Sequence, residues 1–323
     1  MKISIIGLGH LGKIHLKILS ELSNERKDFS ISGVYDIDNE KLSGISVRKF
    51  ISVEEAVSNS DTAIIASTTT SHFDIAKLFI TSGKHVLIEK PVTHSISTAE
   101  ELLEIQKKSN VKVQVGHIER FNPAILGISQ YNITPLFIES HRLSQFNPRG
   151  TDVSVIADLM IHDIDLILNL VKSPVASIDA NGASIITDKI DIVNARLKFE
   201  NGCVANVTAS RISQSKMRKM RIFQKNAYIS IDFVDNSTEI FSLKSNDETD
   251  EGFIEIPLDE NKKIIYERIA MESVNPMKEE LNSFLDSIFM DTEPLVSLKD
   301  GVTALKVADQ VLSSITTGNT KIT

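Results

Sequence analysis

A short, mostly apolar run, Lys2 to Ile6, passes directly into Gly7-Leu8-Gly9-His10-Leu11-Gly12. No other feature constrains the fold as tightly. The spacing calls for a strand, a tight turn and a helix. The first glycine permits the turn, the second lets backbone N–H groups approach phosphates, and the third lets the helix pack on the strand. The helix start adds unpaired N–H donors and a partial positive charge, so His10 and Leu11 join Gly7, Gly9 and Gly12 as candidates to hold a pyrophosphate. A glycine-rich turn without a ligand would share this pattern. The apolar stripe Ile14, Leu16, Ile18, Leu19 and Leu22 that follows favours the nucleotide site.

Residues 29–36 read as a second strand ending in Asp36, where an adenosine ribose would lie and the carboxylate would accept from its hydroxyls. The alternative is a turn-capping Asp ahead of Ile37-Asp38-Asn39-Glu40. A 2′-phosphate about 4 Å from Asp36 would cost roughly 1 to 4 kcal/mol per unit charge pair. No Arg directly follows Asp36, so the expected cofactor is NAD rather than NADP.

Strand-like runs at 2–6, 29–36, 62–66, 85–89 and 112–116 alternate with helical segments at 11–22, 53–58, 72–82 and 97–109. That alternation predicts a parallel sheet, and the apolar runs at 62–66 and 85–89 suit strands covered on both faces. Beyond residue 118 the pattern changes to a short helix at 123–130, a strand at 135–143, a helix at 154–171, strand-like runs from 176 to 268, and helices at 276–290 and 298–316. The expected architecture is α/β. A doubly wound Rossmann domain spans 1–118, and an α+β domain with a large, mostly antiparallel open sheet spans 119–323.

The 323 residues, 41% hydrophobic and 24% charged, suffice for two such cores. A net charge of −8 argues against a nucleic-acid surface. One cysteine, Cys203, excludes an internal disulfide framework. Neither a secretory signal nor a membrane-length apolar run is found, so a cytoplasmic protein without a membrane partner is expected.

Ligands of open parallel sheets bind beyond the carboxyl ends of the strands. After 62–66 come Ser67 and Thr68, with His72 four residues on, candidates to line a ribose or pyrophosphate; N-capping of the next helix is the alternative. The run 85–89 ends in Glu89-Lys90-Pro91, which places a cation at a strand end. The run 112–116 leads to Arg120 and Asn122. In helix 154–171, Asp158, His162 and Asp165 fall at i, i+4 and i+7 and so share a face, as a core-edge histidine with its acid would also do. With neither HExxH nor a cysteine partner, no metal is expected.

Taken together, the glycine fingerprint, Glu89-Lys90-Pro91 and Asp158-x-x-x-His162-Asp163 resemble the glucose-fructose oxidoreductase, inositol dehydrogenase and MocA family of NAD(P)-dependent sugar and polyol dehydrogenases, over essentially the whole chain. The resemblance implies that Lys90 and His162 are catalytic and that Asp158 assists. It implies cofactor contacts at the loop glycines, Asp36, Glu89 and Lys90, and a homo-oligomer, dimer or tetramer, through the second domain's sheet. The strings VGHIERFNPA and ADLMIHDIDLIL resemble the sugar-nucleotide branch that oxidises UDP-N-acetylglucosamine at C3. A diphosphate needs cations, for which Arg120, Arg142, Arg149 and Arg211 stand in suitable segments. The cluster Arg211, Lys216, Arg218, Lys219, Arg221 is either part of that site or a charged strand edge. A free-polyol dehydrogenase and a catalytically silent NAD-binding regulator are the rival readings.

Overall fold

The computed structural model describes residues 1–147, 154–247, 254–270 and 274–319. They form two compact units. No helix among the described residues is long and apolar enough to cross a membrane.

The first unit is built on five parallel strands, β1 (Lys2–Ile6), β2 (Ser30–Tyr35), β3 (Thr62–Ile65), β4 (His85–Glu89) and β5 (Val113–Gly116). They are ordered β2-β1-β3-β4-β5. Helices α1 (His10–Glu25), α2 (Val53–Ser58), α3 (Thr69–Thr81) and α4 (Ile96–Lys107) connect them. Every residue of β3 and β5 is buried, as strands with both faces covered require. The strand order reverses between β1 and β3, and the crevice beyond their carboxyl ends is where such a sheet binds its ligand.

The second unit carries nine strands: β6 (Phe137–Leu143), β7 (Val175–Ala183), β8 (Ile192–Phe199), β9 (Val204–Ser210), β10 (Met217–Gln224), β11 (Ala227–Asp232), β12 (Ser237–Ser245), β13 (Ile254–Pro257) and β14 (Lys262–Ala270). Their order is β13-β14-β12-β11-β10-β6-β9-β8-β7, antiparallel throughout except for β6 beside β9. Strand β8 alternates exposed and buried residues, Ile192 to Phe199, because only one face of the sheet is covered. The cover over β6 and β9 is α6 (Ile161–Val171), while α5 (Pro123–Leu126) packs near β11 and β12.

Three expectations change here. Helix 154–171 is not uniform: Ile156–Met160 is a π-helical turn that leads into α6. The helix expected over 123–130 is the four-residue α5. Strand β10, expected as a possible charged edge, is interior, with β6 on one side and β11 on the other.

After the second sheet the chain returns, so that Asn275–Leu305 belongs to the first unit although a linear division at 118 assigns it to the second. Asn275 caps α7 (Pro276–Phe289) by accepting the Met277 N–H at 3.0 Å. Leu281, Phe284 and Leu285 of α7 share a core with Ile18, Leu19 and Leu22 of α1. The Val115 N–H donates to Val296 at 3.0 Å ahead of α8 (Leu298–Asn319), tying the returning segment to β5.

Candidate functional site

The loop after β1 uses its three glycines differently. A Cβ on Gly7, whose φ is +95°, would lie 2.5 Å from the Ser67 backbone nitrogen, and one on Gly12 would lie 1.8 Å from the Gly7 carbonyl oxygen. Both positions are closed by the chain's own backbone. A Cβ on Gly9 would meet nothing within 4 Å. Gly9 instead lines a cavity of about 420 Å³ together with Gly7, Asp36, Lys41, Ser67 and Thr68. The opening is thus a cradle that a side chain at residue 9 would fill, and it lies where α1 begins without a side-chain cap. Those features fit a dinucleotide's pyrophosphate. His10 and Leu11 are exposed in the first turn of α1, outside the lining.

Asp36 is buried, caps the turn as one of the two readings anticipated, and also borders the space the other reading needs. Its Oδ2 accepts the Leu8 N–H at 2.6 Å and its Oδ1 accepts the Asp38 N–H at 2.8 Å, which ties the glycine loop to the end of β2. The same carboxylate lines the cavity. Two carboxylate oxygens offer about four lone pairs, so acceptor capacity remains for a ribose.

Across the crevice, Ser67 and Ser71 share a hydroxyl hydrogen bond of 2.8 Å, and both line the cavity. Thr68 is the N-cap residue of α3 but its side chain makes no capping bond. His72, a candidate cofactor contact, is instead a buried strut: Nε2 is 3.1 Å from the Ser67 carbonyl and Nδ1 is 3.1 Å from the Pro91 carbonyl. Burial holds its pKa below the usual histidine range, so the neutral ring donates to one carbonyl at a time.

Half-buried Lys90 follows β4 and joins Pro91 through a cis peptide bond. Glu89, expected at the cofactor, turns into the unit: Oε1 meets Nε2 of fully buried His15 at 2.7 Å. Glu280 of α7 is also fully buried, and neither carboxyl oxygen has a hydrogen-bond partner. Burial first, and the Glu89 charge second, hold the Glu280 carboxyl protonated well above the usual carboxylate range. His15 and Glu280 escaped the sequence reading. The available signal was a titratable residue at a core position of an apolar stripe, between Gly12 and Ile18 in α1 and between Met277 and Leu281 in α7.

In the second unit, Asp158 lies on the π turn and His162 on the first turn of α6, and both are half-buried. Their expected companion Asp165 is buried and paired elsewhere: Arg120 donates to it through Nε at 2.7 Å and Nη2 at 2.8 Å. Arg142 is likewise committed, through Nε to Asp163 at 2.5 Å and through Nη1 to Glu119 at 2.6 Å. Burial works against the Arg142 charge, but Asp163 and Glu119 outweigh it and raise its pKa above the usual arginine value. Buried cations need partners, and these two arginines, expected to meet a substrate diphosphate, use their forks within the protein.

Asn122, another substrate candidate, caps α5 by accepting the Ala124 N–H at 3.0 Å and donates to the Phe233 carbonyl at 3.3 Å. Arg211 is buried, and its backbone N–H donates to Asp191. Arg149 lies outside the described residues. Arg218, inside β10, differs from the other arginines: 35% of its side chain is exposed, and Nη1 reaches Glu119 at 3.3 Å. Burial and then the adjacent Arg142 charge lower its pKa, against Glu119, Asp163 and Asp158.

A family model described as an oxidoreductase family with an NAD-binding Rossmann fold matches residues 1–117, and a GFO/IDH/MocA C-terminal domain matches residues 135–230. A UDP-N-acetylglucosamine 3-dehydrogenase of Acidithiobacillus ferrooxidans is 35% identical over 246 residues, covering 75% of this chain and 77% of that protein. The solved structure of a UDP-N-acetylglucosamine 3-dehydrogenase from that organism superimposes with a TM-score of 0.86 at 30% identity, over 98% of this chain and 97% of the other. A myo-inositol 2-dehydrogenase of Thermotoga maritima is 22% identical across 94% of this chain and 93% of that protein.

Proposed function

The chain belongs to the GFO/IDH/MocA oxidoreductase family and uses NAD, and from that premise we propose that it oxidises a secondary hydroxyl of a sugar nucleotide, UDP-N-acetylglucosamine at C3, to the 3-keto sugar. The observation that carries this reading is the whole-length likeness to a UDP-N-acetylglucosamine 3-dehydrogenase, at 30% identity and a TM-score of 0.86. The Glu89-Lys90-Pro91 and Asp158-x-x-x-His162 segments, by their resemblance to the family's pattern, support it.

Bound at the Gly7–Gly12 loop and Asp36, NAD supplies an acceptor for the hydride that leaves the alcohol carbon. The residues manage the proton and the charge. An imidazole ordinarily titrates near 6.5 and an ammonium near 10.4, so His162 takes the role of base and Lys90 that of a cation steadying the developing alkoxide. Asp158, one helical turn before His162, orients the ring or grips a neighbouring hydroxyl. A positioned base contributes about 10²- to 10⁴-fold, so Lys90→Ala and His162→Ala are each expected to lower turnover by that order while the protein still binds NADH.

The outer face of the nine-stranded sheet supports a homo-oligomer. Phe137, Phe223, Tyr228, Phe241 and Tyr266 stand in register across five strands, with successive ring centroids 5.0 to 6.0 Å apart. Such a row suits burial against a second copy of the chain, and Phe223→Glu is expected to shift the sedimentation coefficient towards that of the monomer.

The test of the substrate is NADH formation with a panel of UDP-sugars and free polyols, with the ketone trapped to draw the equilibrium forward. Turnover confined to UDP-sugars supports the proposal. Turnover of free inositols alone would replace it with the polyol reading that the Thermotoga maritima relative favours. Tight NAD binding without turnover would leave a regulator.

A further inference from the structure

A cation stands beside the acid expected to exclude NADP. Lys41 belongs to the 3₁₀ turn Asn39–Leu42, which Asp38 caps by accepting the Glu40 N–H at 3.0 Å. Leu42 anchors the turn in the core of the first unit. Held in this way, Lys41 Nζ lies 3.6 Å from Asp36 Oδ1 and 3.8 Å from Asp38 Oδ2, and it lines the same cavity as Gly9 and Asp36. Beyond Asp36 a second hollow, about 580 Å³, is lined by Asn39, Ser43 and Lys49 among others, so this edge of the site has room and a further ammonium.

These positions change the electrostatic argument drawn from Asp36 alone. The Asp36 charge is already shared by the Leu8 and Asp38 N–H groups and by Lys41. Coulomb energy falls only as the inverse of distance, so an ammonium this close to the carboxylate offsets most of the repulsion a nearby phosphate would feel. A lysine suits the task, because its flexible stem lets a positive charge swing between two acceptors. We propose that Lys41 makes this site accept NADP alongside NAD: its ammonium pairs with a 2′-phosphate when one is present and with Asp36 when it is not.

The test uses the intact protein with NADH or NADPH as the only added ligand, following nicotinamide fluorescence, and so does not depend on which alcohol is oxidised. For the unaltered protein the NADPH dissociation constant is expected within about tenfold of that for NADH. Lys41→Met is expected to widen the NADPH-to-NADH ratio by about tenfold, the scale of one hydrogen bond to a charged group. Lys41→Arg is expected to hold the ratio near its starting value, and Asp36→Ser to move it in favour of NADPH. Lys41 is 43% exposed, and melting curves of the variants verify that they fold. A ratio that does not widen in Lys41→Met overturns the proposal. So does NADPH binding more than about tenfold weaker than NADH in the unaltered protein.

Discussion

The glycine crevice of the first unit and the arginine–carboxylate lattice of the second both hold charged side chains, yet they are built in opposite ways. The crevice is made of backbone. Gly7 and Gly12 are excluded from carrying a side chain by atoms of the loop and of Ala66 and Ser67, which follow β3, and Gly9 leaves open space. The lattice is made of side chains brought together from distant segments: Glu119 and Arg120, Arg142 on β6, Asp163 and Asp165 on α6, and Arg218 on β10. The difference shows where local spacing carries information and where it does not. A backbone cradle needs particular residues at particular intervals, whereas a buried charge needs only a partner, which any segment can supply.

Breaking the lattice is expected to have the largest effect. Arg142→Met strips Asp163 and Glu119 of their buried cation, and chemical denaturation should show a loss of about 3 to 5 kcal/mol. Stability within 1 kcal/mol of the parent, at the order expected of an exposed pair, would show that the lattice contributes little.

The crevice should respond in the other currency, affinity. Gly9→Ala meets no protein atom within 4 Å, so its melting curve is expected to overlay the parent's while NADH binding falls about a hundredfold, roughly 2.7 kcal/mol. Gly12→Ala, with its Cβ 1.8 Å from a carbonyl oxygen, is expected to lose affinity and stability together. If both glycine variants behaved alike, the division between closed and open positions would be wrong.

The third effect is smaller at each step and depends on pH. Glu280 is held protonated in the folded protein by burial and by Glu89, while in the unfolded chain it ionises near pH 4.3. A raised folded-state pKa means that its contribution is intact below about pH 4.3 and is lost as pH rises toward the folded value. Glu280→Gln removes that titration. Its stability relative to the parent is expected to grow by at most about 1.4 kcal/mol per pH unit above that point, and to show no such growth below it. A difference independent of pH between 4 and 8 would place the Glu280 proton elsewhere.

Much of the first unit was legible in the sequence because its determinants are contiguous. The Gly7–Gly12 spacing located the crevice, the end of β2 located Asp36, and uninterrupted apolar runs located β3 and β4. What stayed hidden required knowledge of pairing. Glu89 was visible as a strand-end acid, but nothing in the residues near it points to His15, 74 positions away, or to Glu280 on a returning helix. Arg120 and Arg142 looked available for a diphosphate only because Asp165, Asp163 and Glu119 could not be placed beside them. Lys41 does not stand out beside Asp36 in the sequence, because only a tight turn carries this cation, five residues later, back to the carboxylate.

The central claim, that this family member removes hydride from C3 of a UDP-linked sugar, is tested most directly by deuterium transfer. UDP-N-acetylglucosamine deuterated at C3 is incubated with NAD and the protein in ordinary water, and the reduced cofactor is weighed by mass spectrometry. The account predicts reduced cofactor carrying one deuterium and no such product with His162→Ala on the same time scale. Reduced cofactor without deuterium would move the oxidation to another carbon, and no reduction with any UDP-sugar would contradict the claim outright.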